Sequence, residues 1–151
     1  MPLPESGVTF FVSMKKFSFE LEKVLEFRNF EKQQAEGELA KALAVESEIN
    51  DNLKKIAQNY AVVKAQMKGS LNFQDVIAQS QYNNLLEYQK EELLKQLAQA
   101  KLVTEQKRKV LRECMKKTTA LEKLREKQLA DWKQAADYEE AELLDEVKNK
   151  L

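Results

Sequence analysis

An all-α fold, a long antiparallel coiled-coil hairpin of two helices, follows from three features of the sequence. The first is a stripe through Ala35, Leu39, Ala42, Glu46, Ile49, Leu53, Ile56, Tyr60, Val63 and Met67. Its steps alternate between four and three residues, the seam of a heptad repeat with one polar position, Glu46. The second is composition: 33% charged and 43% hydrophobic residues, with 3 Gly and 2 Pro among 151, too few turn formers for a compact multi-turn fold. The third is a single break, Lys68-Gly69-Ser70-Leu71-Asn72, followed by a second apolar stripe. One helix cannot bury a seam alone, so the segment after the break must supply its partner.

Taken in order, residues 1–13 stand apart. They hold both prolines and one glycine and show no helical period, while Met14-Lys15-Lys16 resembles a natural start. They read as a disordered or non-native N-terminal arm, and 14–151 as one antiparallel coiled-coil domain. Helix 1 is expected over about 18–68. Ser18 would be its N-cap, and Glu20 and Glu22 would face the positive end of the helix dipole. Phe17, Leu21, Val24, Leu25 and Arg28 carry the stripe forward from the start, and Lys32 interrupts it. Gly37 lies inside the helix, where it costs about 1 kcal/mol relative to alanine. It reads as tolerated there, close approach by a partner being the alternative.

The turn occupies 69–72. Gly69 is expected in the left-handed position that ends a helix, and Asn72 as the cap of the next. Helix 2 is expected over about 73–147, with Tyr82, Leu86, Gln89, Leu93, Ala100, Val103, Lys107, Val110, Cys114 and Leu121 as its seam. Folding at the turn brings together residues whose numbers sum to about 142. Tyr60 then meets Tyr82, Ile56 meets Leu86, Ile49 meets Leu93, and Ala42 meets Ala100. Ala35 opposite Lys107 and Arg28 opposite Cys114 predict looser packing in the middle. Helix 1 would be about 75 Å long and helix 2 about 110 Å, at 1.5 Å per residue. Residues beyond about Arg125 therefore have no helix 1 opposite them. Leu129, Trp132, Ala136, Leu143, Leu144 and Val147 would form an unpaired apolar stripe, a surface for a partner unless the chain's own first residues or a second copy cover it.

Several chemistries find no support. The chain lacks histidine, the commonest general base and metal ligand. Its one cysteine, Cys114, falls in the seam, where a buried and inert thiol is expected and no disulfide framework exists. No glycine-rich phosphate loop is present. No catalytic residue, cofactor or metal is expected, and the protein reads as a non-enzyme. No apolar run approaches the ~20 residues of a membrane span, and no targeting signal is evident. Location in the cytoplasm is the expectation.

Charge balances overall, with 25 basic and 25 acidic residues, but it is segregated. Lys101 to Lys127 is basic, and Asp131 to Glu146 is acidic with Lys133 as its one base. The fold sets the basic stretch beside Glu20, Glu22, Glu26, Glu31, Glu36 and Glu38, so pairing within the chain is expected rather than nucleic-acid binding. Glu91 with Lys95, Glu105 with Lys109, and Glu113 with Lys117 read as i,i+4 supports of a few tenths of a kcal/mol each.

Two stretches carry a resemblance. The segment Met14-Lys-Lys-Phe-Ser-Phe-Glu-Leu-Glu-Lys-Val-Leu-Glu-Phe-Arg28 resembles the opening of FliJ proteins, coiled-coil components of the bacterial flagellar export apparatus. Leu121-Glu-Lys-Leu-Arg-Glu-Lys-Gln-Leu129, Trp132 and Leu144-Asp-Glu-Val147 are similar to that family's C-terminal pattern, and the central glycine-bearing turn falls in its place. The resemblance implies a two-helix stalk that couples type III protein export to flagellum biogenesis and motility. It implies association with a hexameric export ATPase of the FliI type, through the end carrying the termini. Contact with an export gate protein of the FlhA type, near the turn, and with export chaperones is also implied. The protein would then be peripheral to the cytoplasmic membrane at the flagellar base, through its partners only. Gate contacts map here to Ile56, Tyr60, Tyr82 and Leu86; ATPase contacts map to Leu129, Trp132, Ala136 and Leu143. The family usually shows more aromatic character at the gate site, and Gln89 departs from it. A general structural or chaperone-like coiled coil, or the equivalent stalk of a virulence secretion system, are the alternative readings.

Overall fold

The computed structural model describes residues 16–69 and 72–150. The arm expected over 1–13 lies outside them. Two helices, α1 (Glu22–Met67) and α2 (Phe73–Asn149), pack against each other as an antiparallel hairpin. They contribute to two compact units. Of the described residues, one unit holds 16–32 together with 114–150, and the other holds those between 33 and 113.

Helix α1 begins three residues later than Ser18-capping predicts. The Glu22 amide donates to the Phe19 carbonyl at 3.1 Å, and Leu25 N–H to Leu21 O at 2.9 Å opens the helical ladder. Before that point Phe19 is 6% exposed and Phe17 half-buried. Alternate residues facing inward suit an extended segment. Burying a phenylalanine contributes about 1.5–3 kcal/mol, more than one further helical turn would.

At its other end α1 closes without the left-handed glycine expected. Gly69 has no positive φ, and its amide donates to Gln66 O at 3.4 Å, a tightened last turn. Asn72 behaves as read from the sequence. Its Oδ1 accepts from Gln74 N–H at 3.2 Å, and its carbonyl accepts from Val76 N–H at 3.1 Å.

In the turn-bearing unit the α1 seam is the one the heptads predict up to Val63, while Met67, the last predicted position, is exposed. Ala35, Ala42, Ile49, Ile56 and Val63 are buried, with Leu39, Glu46, Leu53 and Tyr60 half-buried between them. The α2 seam needs correction. Leu86, Leu93 and Ala100 face inward as expected, but Val103 and Val110 are 44% and 54% exposed. Their places are taken one residue on, by Thr104 at 3% and the half-buried Leu111. Asn83 likewise replaces the expected Tyr82.

Register shifts with it. Tyr60 meets Glu87, Glu46 meets Thr104, and Glu38 meets Lys107, so paired residue numbers sum to 145–150 instead of 142. The partner of each α1 residue lies about one helical turn farther along α2. Hydrophobic pattern alone selects Tyr82, Val103 and Val110. The structure instead accepts threonine in the seam because the Thr104 hydroxyl finds a partner across it in Glu46, whereas Asn83 enters with its Oδ1 unpaired among the described residues.

The terminal unit keeps the same register. Glu22 meets Arg125 at 3.0 Å, and Thr118, 2% exposed, donates to the Arg28 carbonyl at 3.4 Å. Cys114 is half-buried.

Candidate interaction surfaces

Three places in the hairpin combine polar pairing with exposed apolar side chains. In the seam of the turn-bearing unit, Glu46 sits among apolar residues, where an unpaired carboxylate is costly. Thr104 answers it. The threonine hydroxyl lies 2.6 Å from Glu46 Oε2 and 3.0 Å from its own Ala100 carbonyl, and its single proton can serve only one at a time. The shorter, charged acceptor is the stronger. Asn83 Oδ1 is the counterexample, a buried oxygen with no partner among the described residues.

Nearer the turn, the Tyr60 hydroxyl donates to Glu87 Oε2 at 3.2 Å. Partial burial, that hydrogen bond and the Glu87 charge together raise the phenol above its ordinary value of 10.0. Tyr60 lines a groove with Leu53, Ile56, Ala57, Glu87, Lys90 and Leu94. Tyr82 lines another, with Asn59, Val62, Val63, Gln66, Ala78 and Gln79. The two tyrosines expected to face each other are thus in separate grooves. Ile56 and Leu86 are 7% and 2% exposed, so they fill the seam behind these grooves. Sequence reasoning missed Phe73, Val76 and Ile77, which are 76%, 44% and 42% exposed at the start of α2. The signal was present, since these apolar residues follow the Asn72 cap and fall before the first paired turn of α2.

In the terminal unit the expected overhang is shorter than predicted. Among the described residues no helix lies opposite α2 beyond Arg125, but the segment before α1 does. The Phe17 and Trp132 rings stand 6.1 Å apart, tilted at 60°, and the Arg125 guanidinium lies 5.8 Å from the Phe17 ring centre. Leu129, Trp132 and Ala136 are therefore half-buried, not bare. From Asp137 onward every described residue is exposed; Leu143 is 47% exposed, Leu144 61% and Val147 57%. Of the four residues mapped to the ATPase, only Leu143 is openly available.

The basic stretch is partly absorbed by pairing. Lys107 reaches Glu38 at 3.8 Å and Arg125 reaches Glu22 at 3.0 Å across the seam. Within α2 the partners differ from the i,i+4 pairs read from the sequence. Lys95 turns to Glu92 at 3.5 Å, and Glu105 takes Arg112 at 3.3 Å. Both pairs are exposed, so each contributes well under about 1 kcal/mol.

Among the described residues, no group of three or more His, Cys, Asp or Glu side chains could hold a metal. Among the same residues no helix is long and apolar enough to cross a membrane. A two-helix hairpin with polar pairs across its seam defines a coiled-coil protein. Residues 17–151 match the family described as flagellar FliJ protein, and the chain belongs to that family. It is accordingly a component of the flagellar export apparatus, in a family of structural export components. No curated protein and no solved structure matches it.

Proposed function

We propose that this protein is the coupling stalk of flagellar type III export, joining the hexameric export ATPase to the export gate without catalysing a reaction itself. The family match over 17–151 carries the reading. Two separate exposed apolar surfaces support it, one in each unit. The terminal unit offers Leu143, Leu144 and Val147 to the ATPase, with Leu129, Trp132 and Ala136 continuing that face under Phe17. The turn-bearing unit offers Phe73, Val76, Ile77 and Tyr82 to a gate of the FlhA type, with Tyr60 at the neighbouring groove. Ile56 and Leu86 hold these side chains in place from within the seam. Export chaperones are further partners under this reading. The chain is then cytoplasmic and peripheral to the membrane through its partners.

The test is reconstitution. Adding the protein to purified export ATPase of the same organism should promote ring assembly and raise hydrolysis. Unchanged hydrolysis and assembly at saturating protein would refute the coupling role.

A further inference from the structure

We infer that the last part of α2, from Asp137 to Asn149, is an acidic amphipathic docking helix whose receptor is an apolar groove with a basic rim. This rests on the reading just given, since it states the chemistry of the ATPase surface that meets the terminal unit.

The face in question continues an interface already present. Leu129, Trp132 and Ala136 lie on the side of α2 turned to Phe17, and steps of four, three and four residues extend that side through Glu140, Leu143 and Val147. The stripe keeps its direction but loses its cover. Leu143 and Val147 are about half exposed, and Leu144 at the stripe's edge is 61% exposed. Apolar residues repeating on one side of a solvated helix are the anchors by which such a helix enters a groove.

Charge says what kind of groove. At 100° per residue Asp145 falls opposite the stripe and Glu142 well off it, Glu139 and Glu146 flank one of its edges, and no basic residue lies between Asp137 and Val147. A helix so charged is repelled by an acidic surface and attracted to a basic one. Glu140 sharpens the point. It occupies a stripe position, as Glu46 does in the other unit's seam. Glu46 has Thr104 at 2.6 Å, whereas Glu140 makes no hydrogen bond or ion pair among the described residues. Burial of the stripe would strand its carboxylate unless the receptor brings a cation or donor to that position.

Binding of the full chain to the purified export ATPase, measured at several salt concentrations, tests this with two variants. Glu142→Gln/Asp145→Asn/Glu146→Gln should weaken binding about tenfold at low salt and flatten its salt dependence. Leu143→Ser/Val147→Ser should weaken it more, at every salt concentration. Circular dichroism and the Trp132 spectrum confirm that the rest of the hairpin is intact in both. If the unaltered chain binds and both variants bind equally well, the docking helix is wrong and the coupling reading stands. Failure of the unaltered chain to bind overturns both. Two other occupants would also overturn the inference: a second copy, seen as a dimer that the Leu143→Ser/Val147→Ser variant dissolves, or residues 1–13, seen as tighter ATPase binding when they are removed.

Discussion

At the scale of single residues, three positions test the hairpin's local contacts. Gly37 faces open space, for a Cβ built there meets nothing within 4 Å. Gly37→Ala should stabilise the hairpin by about 1 kcal/mol, the helix-propensity difference, measured by urea unfolding. An unchanged or lowered midpoint would show that the position serves more than tolerance. Tyr60 gives a pH signature. Its folded-state pKa lies above the ordinary 10.0, so its contribution to stability is full below that value. As pH rises through the raised value, the phenol loses the proton it donates to Glu87 and the contribution disappears. Ultraviolet titration should show one tyrosine ionising later than the others, and Tyr60→Phe should remove that component. Loss of the late component from Tyr82→Phe instead would assign the shift to the wrong ring. Phe17 makes the third case. Phe17→Ala should shift Trp132 emission to the red, because the ring 6.1 Å away is its described aromatic neighbour.

At the scale of elements, register is the property most exposed to test. Apolar pairs can slide by a heptad with little loss, whereas a partly buried polar pair holds only where its partner is. Glu46 with Thr104 is such a pair. Thr104→Val should cost about 1–3 kcal/mol by leaving the carboxylate without its donor. Glu46→Leu with Thr104→Leu should recover stability while admitting slipped registers. A direct measurement uses Cys114→Ser chains carrying cysteine pairs. Tyr60→Cys with Glu87→Cys should be bridged within one chain by a short bifunctional maleimide faster than Tyr60→Cys with Tyr82→Cys. The reverse order would restore the register that apolar matching alone selects.

For the molecule as a whole, the division of labour between the two units can be separated experimentally. Truncation after Ala136 removes only described residues that are exposed, so the cross-seam pairs Glu22–Arg125 and Glu46–Thr104 should survive it. ATPase association should be lost while binding to the gate persists. Substituting serine for Phe73 and Ile77 should do the opposite. Parallel loss of both activities in either variant would mean that the surfaces do not act separately.

The heptad stripe from Ala35 to Val63, the break at Gly69 and the Asn72 cap were legible in the sequence because each depends on local geometry. A helix with a narrow apolar stripe must find a partner, and a short polar break joins antiparallel neighbours. Alternate seam positions of α2, namely Leu86, Leu93, Ala100, Lys107, Cys114 and Leu121, were legible for the same reason. The other set was not. Thr104 and Asn83 enter the seam in place of Val103 and Tyr82; for Thr104 the reason is what lies across the interface, where it meets Glu46. The apolar face at the end of α2 was legible as a stripe, but its limit was not. Phe17 leaves the helix and covers Trp132, a contact between residues far apart in sequence that no periodicity encodes. Sequence thus determined that the chain is a two-helix hairpin with apolar surfaces, since helical period and capping are local. Only tertiary structure decided register and exposure, since both depend on which distant side chain supplies the partner.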